Sequence, residues 1–152
     1  MIGKCSEFGG SNDQVMRDDT GLALYESWEA DRRPDIFFPE DPTWLENHPD
    51  WVKKNPGQRQ PTWARLRPDF YYIALRYDNR FPRKILQNVP FKVRNPKTNE
   101  WAIAFLVDRG PGVSSRLVDC SPGLLKRLGV ATEDELDVMQ INPFLATEDP
   151  KV

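Results

Sequence analysis

The sequence has few of the residues on which metal and nucleophilic sites depend. Its 152 residues include one histidine, His48, and two cysteines, Cys5 and Cys120. No histidine or cysteine pair therefore has metal-ligand spacing, and Ser114 and Ser115 lack a histidine placed to activate them. The glycine pairs also lack a phosphate-binding fingerprint, so we expect no metal and no cofactor. Of a disulfide and two free buried thiols, we favour the free thiols.

The chain also lacks a strong net charge and a long apolar segment. A formal charge of −2 gives no electrostatic argument for nucleic acid as the main partner. No apolar run approaches the roughly 18 residues of a membrane span, and no secretory signal is visible at the N-terminus. We expect cytoplasmic synthesis and, for a role in the cell envelope, either delivery by a non-Sec route or incorporation into a virion.

What remains is the composition of one globular domain, residues 1–152, with 39% hydrophobic and 29% charged residues. No internal repeat is visible. Many of the 14 prolines lie between about 31 and 68, where short helical turns are predicted at 43–47 and 50–54. We interpret this stretch as an insertion packed on the domain, because several of its apolar side chains need burial: Trp44, Leu45, Trp51 and Val52.

Hydrophobic alternation predicts the strands. The first twenty residues show no clear periodicity, and a first strand is predicted at 21–25. Residues 70–77 are aromatic enough for a central strand. Residues 90–94 and 101–107 flank a turn and predict a hairpin, and a last strand is predicted at 136–141.

The most informative segment follows the second hairpin strand. Asp108 and Asp119 are expected at the two ends of one short loop, with a sharp turn at Gly110-Pro111. Ser121 then has the properties of a helix N-cap, with Pro122 at the first helical position. Gly129 is placed to end that helix, as glycine often does in the left-handed conformation. Asp119 is therefore expected in a stiff setting just before a helix.

This order of Val107-Asp108-Arg109-Gly110-Pro111, an arginine, Asp119-Cys120-Ser121, a short helix and Leu128-Gly129 resembles the RlpA-like and expansin-like double-psi β-barrel family. The resemblance covers about 90–141 and is specific over 107–129; MltA-type lytic transglycosylases are similar more distantly. It implies a mainly β fold, a six-stranded double-psi β-barrel with short helices and an irregular Trp/Pro-rich insertion.

The resemblance also implies a function, a peptidoglycan-directed lytic enzyme. Asp119 matches the family's catalytic aspartate and Asp108 the earlier one. An acid of this kind needs a raised pKa, which a second carboxylate can supply. One acid suffices for a lytic transglycosylase, because the sugar's own 6-hydroxyl attacks. The alternative for these residues is structural: Asp108 caps the turn and Asp119 pairs with Arg109 or Arg116, which would lower both pKa values.

Further residues are candidates for contacting the substrate: Arg76, Tyr77, Asp78, Arg109 and Arg116. The family's catalytic histidine has no match, since His48 lies in the insertion; Asp78 is a candidate to take its place, and Glu26 a candidate for an early glutamate. The five tryptophans are candidates either for stacking on sugars or for core packing.

The alternative function is a non-catalytic barrel that binds glycan or forms a structural part of a phage tail or secretion assembly; a protein-interaction barrel attached to an ATPase is a weaker third hypothesis. The expected partners are thus peptidoglycan or another glycan, with phage or secretion-apparatus proteins in the alternative.

Overall fold

The structure is a computed structural model that describes residues 1–9, 22–37, 42–60, 66–77, 80–87 and 89–141. These parts are mainly β with a few short helices, as the sequence predicts. The strands are β1 (Ile2–Glu7), β2 (Tyr72–Leu75), β3 (Pro90–Arg94), β4 (Trp101–Asp108), β5 (Arg116–Cys120) and β6 (Glu135–Gln140). The helices are α1 (Ser27–Ala30), α2 (Pro42–Asn47), α3 (Pro49–Lys54), α4 (Arg83–Leu86) and α5 (Pro122–Leu128). None of these helices has the length and apolar character needed to cross a bilayer.

The six strands pair in a closed ring in the order β1-β5-β2-β4-β3-β6. β1 is parallel to β5 and β2 to β4, and the other four neighbouring pairs are antiparallel. Each parallel pair contains one register shift, at Lys4/Cys5 in β1 and at Ile73/Ala74 in β2. Because the ring closes, each of these strands has a partner on both sides, and none is left as an exposed edge.

The ring consists of two topologically equivalent halves. Exchanging β1 with β4, β2 with β5 and β3 with β6 reproduces the same order and the same direction for every pair. The helices follow this symmetry, since α4 lies between β2 and β3 as α5 lies between β5 and β6. The sequence shows no repeat, so the equivalence lies in the arrangement of strands and helices and not in the amino-acid pattern.

The hairpin and the helix after it form as the sequence predicts. β3 and β4 pair in antiparallel fashion, from Pro90 beside Phe105 to Arg94 beside Trp101. In α5, the side chain of Ser121 accepts a hydrogen bond from the Leu124 N–H, and Gly129 adopts the left-handed conformation with φ of 67°. Both predictions depend on local signals, a turn and two helix caps, that need no information from the rest of the chain.

The first strand was predicted at the wrong place. Residues 22–25 form loop and bend, whereas β1 begins at Ile2 in a stretch that shows no clear periodicity. The alternation is interrupted because β1 has a register shift between Lys4 and Cys5 and buries two successive residues, Cys5 and Ser6. A Cβ on Gly3 would come within 2.6 Å of Leu117 Cβ, so a glycine stands where alternation would call for a side chain.

Two of the apolar side chains predicted to be buried in the Trp/Pro-rich insertion form a small cluster of their own, separate from the main core. Trp44 and Trp51 are buried against each other, with ring centroids 5.3 Å apart. Phe37 and Leu66 form a β-bridge near the two ends of the insertion, and both are buried in the main core. Val52, by contrast, is 40% exposed, because it lies on the outer side of α3.

Candidate functional site

Four neighbouring strands carry Ser6, Asp119, Ala74 and Asp108 in one row, which we call the carboxylate row. In the strand register Ser6 pairs with Asp119, Asp119 with Ala74, and Ala74 with Asp108. Register partners on neighbouring strands lie side by side, and the register shift in β2 places Asp108 beside Ala74. The structure therefore brings the two predicted acids to either side of one small residue.

Asp108 is the last residue of β4 and is only 8% exposed. Its Oδ1 accepts hydrogen bonds from the backbone N–H of Ala23 at 2.7 Å and of Arg109 at 2.8 Å. Burial raises the pKa of Asp108 to about 6, the two hydrogen bonds oppose that rise, and the charge of Asp119 adds to it. Asp108 is thus a carboxyl group that titrates close to neutral pH.

Asp119 lies inside β5, and not at the end of the loop as expected, because β5 begins three residues earlier at Arg116. It is partly exposed, and its Oδ1 accepts a hydrogen bond from the Ser6 hydroxyl. Burial raises the pKa of Asp119, and the Ser6 hydrogen bond and the charges of Arg116 and Arg76 only partly offset that rise. Burial, more than the neighbouring carboxylate, is therefore what favours the protonated forms.

Gly110 lies over the middle of the carboxylate row. Its N–H donates to the Leu75 carbonyl at 3.3 Å, and the peptide bond between Gly110 and Pro111 is cis. A Cβ built on Gly110 would lie 3.4 Å from Asp119 Oδ2 and 3.8 Å from Ala74 Cβ. The missing side chain thus leaves Oδ2, the oxygen that Ser6 does not contact, less covered than any other residue would.

The predicted arginines lie around the two acids without forming ion pairs to them. Arg116 binds Glu133, with Nε 2.6 Å from Oε1. The Arg109 guanidinium carbon lies 5.9 Å from the centre of the Tyr77 ring. In the part of the chain that the structure describes, no arginine or lysine nitrogen comes within 4.0 Å of either acid's oxygens. Their charges act on the acids only at longer range.

Arg76 and Tyr77 each interact electrostatically with one of the two acids. Arg76 is exposed, its Nη2 donates to the Val113 carbonyl at 2.6 Å, and its charge lowers the pKa of Asp119. Burial raises the pKa of Tyr77, the charge of Asp108 raises it further, and Arg109 opposes the rise. Asp78, the remaining predicted binding residue, lies outside the described residues.

A cavity of about 490 Å³ lies beside the carboxylate row but does not include its acids. Arg76 and Tyr77 line this cavity, and most of the other lining residues are apolar. The acids and the cavity are therefore separate features that meet at Arg76 and Tyr77.

Other residues considered from the sequence have structural partners. His48 stacks on Trp44 with ring centres 4.1 Å apart, and its Nδ1 lies 2.7 Å from the Trp44 carbonyl oxygen. Glu26 accepts a hydrogen bond from the Trp28 indole at 2.5 Å. Trp44 belongs to the core of the insertion, as the packing alternative predicts.

The two cysteines do not form a disulfide, and the described residues contain no cluster of side chains suited to bind a metal ion. Cys5 and Cys120 are free and buried, which confirms that expectation, and burial raises the pKa of both thiols. Within the described residues, no group of three or more histidine, cysteine, aspartate or glutamate side chains is arranged to hold a metal ion.

The sequence did not reveal three contributors to the site: Ser6, Gly110 and the backbone of Ala23. Ser6 lies on the unpredicted strand β1, and Ala23 contributes only a main-chain N–H, which no residue type marks. Gly110 was recognised as a turn residue, but its approach to Asp119 depends on how β4 and β5 pair with β2. Each of these contributions arises from a contact between residues far apart in the chain.

Comparison with known families and proteins does not assign the chain to a family. No family model matches the sequence, and no curated protein matches it significantly.

Proposed function

We propose that this chain is a double-psi β-barrel that cleaves the glycan strands of peptidoglycan by general-acid catalysis. The closed ring, its two equivalent halves and its two parallel pairs support the fold part of the proposal. The glycan as substrate class follows from the RlpA-like resemblance of residues 107–129. The single observation that carries the chemistry is the carboxylate row, where two aspartates with raised pKa values flank Ala74 without an arginine ion pair.

In this proposal Asp119 is the general acid. It is the more exposed of the two carboxyl groups, and its Oδ2 lies beside Gly110 while Oδ1 is held by Ser6. The proton of Asp119 passes to the glycosidic oxygen as the bond from that oxygen to the anomeric carbon breaks. The sugar's 6-hydroxyl oxygen then bonds to the anomeric carbon and gives its proton to the Asp119 carboxylate, so an anhydro sugar forms and no water is consumed.

Asp108 assists without touching the substrate. It is almost fully buried, and its carboxyl group takes a charge only as the pH rises towards about 6. The charge of Asp119 contributes to the raised pKa of Asp108, and because repulsion between two carboxylates is mutual, a charged Asp108 favours the proton on Asp119. Arg76, Arg109 and Arg116 are positively charged groups around the row that are suited to contact carboxylates of the glycan's peptides.

The experiment incubates the purified chain with peptidoglycan sacculi and analyses the soluble products by mass spectrometry. We expect anhydro-muropeptides from the wild type, a loss of at least about 100-fold for Asp119→Asn, and a smaller loss for Asp108→Asn, because one acid–base group typically contributes 10²–10⁴-fold. Asp50→Asn, the same chemical change on the exposed surface of α3, is the matched control and should leave the yield unchanged.

Absence of anhydro products from the folded wild type would contradict the enzymatic proposal. Sedimentation of the protein with sacculi would then favour the non-catalytic glycan-binding module. Failure to sediment would favour a structural role in a phage tail or secretion assembly.

A further inference from the structure

The cavity beside the carboxylate row is built from the inside of the strand ring. Its volume of about 490 Å³ falls in the usual range of small-molecule sites, roughly 300–1,000 Å³. Four strands each contribute one buried apolar side chain to its lining: Leu75, Phe91, Leu106 and Val138. Leu86 of α4 and Val89 close the adjacent side. A cavity of this volume and lining is suited to bind an apolar group of a ligand.

Polar groups are few. Among the described residues that line the cavity, Arg76, Tyr77 and Gln140 have polar side chains, and none is acidic; the amino group of Met1 is bound to Asp137 and to the Val138 carbonyl. Arg76 is exposed and holds the Val113 carbonyl through Nη2 alone, which leaves its other N–H groups without a protein partner among the described residues. A planar guanidinium with free donors is suited to an anionic head group such as a carboxylate.

The rim of the cavity also includes an exposed apolar side chain. Met139, near the end of β6, is 47% exposed and lines the cavity. Methionine is unbranched and flexible, so it can adapt to ligands of different shape. The cavity therefore offers an apolar interior, an adaptable apolar rim and the exposed guanidinium of Arg76.

We propose that this cavity binds a small amphipathic anion, with the apolar body inside the ring and the anionic group at Arg76. This site shares Arg76 with the proposed glycan contacts but contains neither Asp108 nor Asp119, so ligand binding can be measured without glycan cleavage.

The test is isothermal titration calorimetry with dodecanoate below its micelle concentration, beside dodecyltrimethylammonium as the cation of matched chain length. Dodecanoate binds with a stoichiometry of one, and Arg76→Gln weakens that binding about 10-fold, which corresponds to about 1.4 kcal/mol. Arg127→Gln on the exposed side of α5 is the matched control and changes nothing. The cation binds more weakly than dodecanoate and does not respond to Arg76→Gln.

A second measurement locates the ligand without any substitution. In a methyl-labelled sample, dodecanoate shifts the NMR signals of Leu86, Val89 and Val138, and leaves those of Leu124 and Leu128, which belong to α5, in place. Leu86→Trp, which fills the cavity, abolishes binding in a variant whose circular dichroism matches the wild type.

Three results would overturn the proposal: no saturable binding of dodecanoate, shifts confined to methyl groups outside the cavity, or equal affinity for the anion and the cation. Binding that survives Leu86→Trp unchanged in the folded variant would also place the ligand elsewhere.

Discussion

At the scale of single residues, burial decides the chemistry of Asp108. The carboxyl group has 8% exposure and two backbone donors on one oxygen, yet its pKa rises to about 6, so removal from water outweighs the hydrogen bonds. A rise from 3.8 to about 6 corresponds to about 3 kcal/mol at 1.36 kcal/mol for each pH unit. Once this buried carboxyl group is charged, it lowers the free energy of unfolding.

The free energy of unfolding should therefore depend on pH through Asp108. The folded-state pKa lies above the unfolded value, so this group's contribution is fully present below pH 3.8 and is lost as the pH rises to about 6. Asp108→Asn cannot ionise and keeps an oxygen for the Ala23 and Arg109 donors. We expect the variant to gain about 2 kcal/mol relative to the wild type between pH 4 and pH 7, because part of the roughly 3 kcal/mol is already lost at pH 4; urea unfolding at both pH values measures the gain.

The wild type and the variant have to be compared because other carboxylates change the free energy of unfolding with pH in the opposite direction. Arg94 holds the pKa of Asp137 below its usual value, so the part of stability due to Asp137 falls at low pH. Asp50→Asn, on the surface, should follow the wild-type pH profile. Parallel profiles for wild type and Asp108→Asn would contradict a raised pKa at Asp108.

At the scale of secondary-structure elements, α4 fixes the loop that reaches Asp108. Glu29 of α1 is 9% exposed and accepts hydrogen bonds from Arg83 and from Gln87, the latter at 2.7 Å. Arg83 also donates to the Leu24 carbonyl at 3.0 Å. These contacts tie residues 24–29 to α4 and so hold the neighbouring N–H of Ala23 at Asp108.

Arg83→Gln should uncouple this loop. Burial alone would raise the pKa of Glu29, but the hydrogen bonds from Arg83 and Gln87 outweigh it and hold the pKa below its ordinary value. Removing the cation leaves a buried carboxylate without its charge partner. We expect a loss of about 2 kcal/mol, below the 3–5 kcal/mol of a fully buried pair because the Arg83 side chain is 31% exposed. Urea unfolding measures the loss, and hydrogen exchange should show faster exchange at the Ala23 amide.

The matched control is Arg127→Gln, which breaks an exposed pair with Glu100 and should cost less than about 1 kcal/mol. If both substitutions had the same small effect, the Glu29 contacts would not hold the loop.

At the scale of the whole molecule, β1 is the strand that closes the ring. It pairs with β5 on one side and with β6 on the other, so it joins the first residues of the chain to its last strands. Contacts between residues more than a hundred positions apart dominate this closure. We therefore expect the amides of β1 to exchange only through global unfolding, as core amides do.

Gly3→Ala tests the closure directly. The new methyl group would meet Leu117 Cβ at 2.6 Å, a distance that requires β1 and β5 to move apart. We expect a loss of about 1–3 kcal/mol in the free energy of unfolding, measured in urea, because overpacking in a tight contact has that cost. Gly112→Ala is the control: no atom lies within 4 Å of its Cβ position, and it should be close to neutral. An equal effect of the two substitutions would show that the β1–β5 contact is not tight.

The amino-acid sequence by itself determined the parts of the fold that depend on local signals. The hairpin of β3 and β4, the helix α5 between Ser121 and Gly129, and the two helical turns of the insertion follow from alternation, turn residues and caps. The sequence also identified Asp108 and Asp119 as the acids to consider. The hairpin, the helix and the helical turns could be predicted because the residues responsible are close together in the chain, whereas the two acids were singled out by the family resemblance.

Only the tertiary structure decided how these parts meet. The position of β1, the equivalence of the two halves and the row from Ser6 to Asp108 all depend on pairing between strands far apart in the chain. The raised pKa of Asp108 likewise depends on burial beside the loop around Ala23, which is hydrogen-bonded to α4. A sequence pattern records which face of a strand is apolar, but strand register and desolvation are properties of the assembled ring.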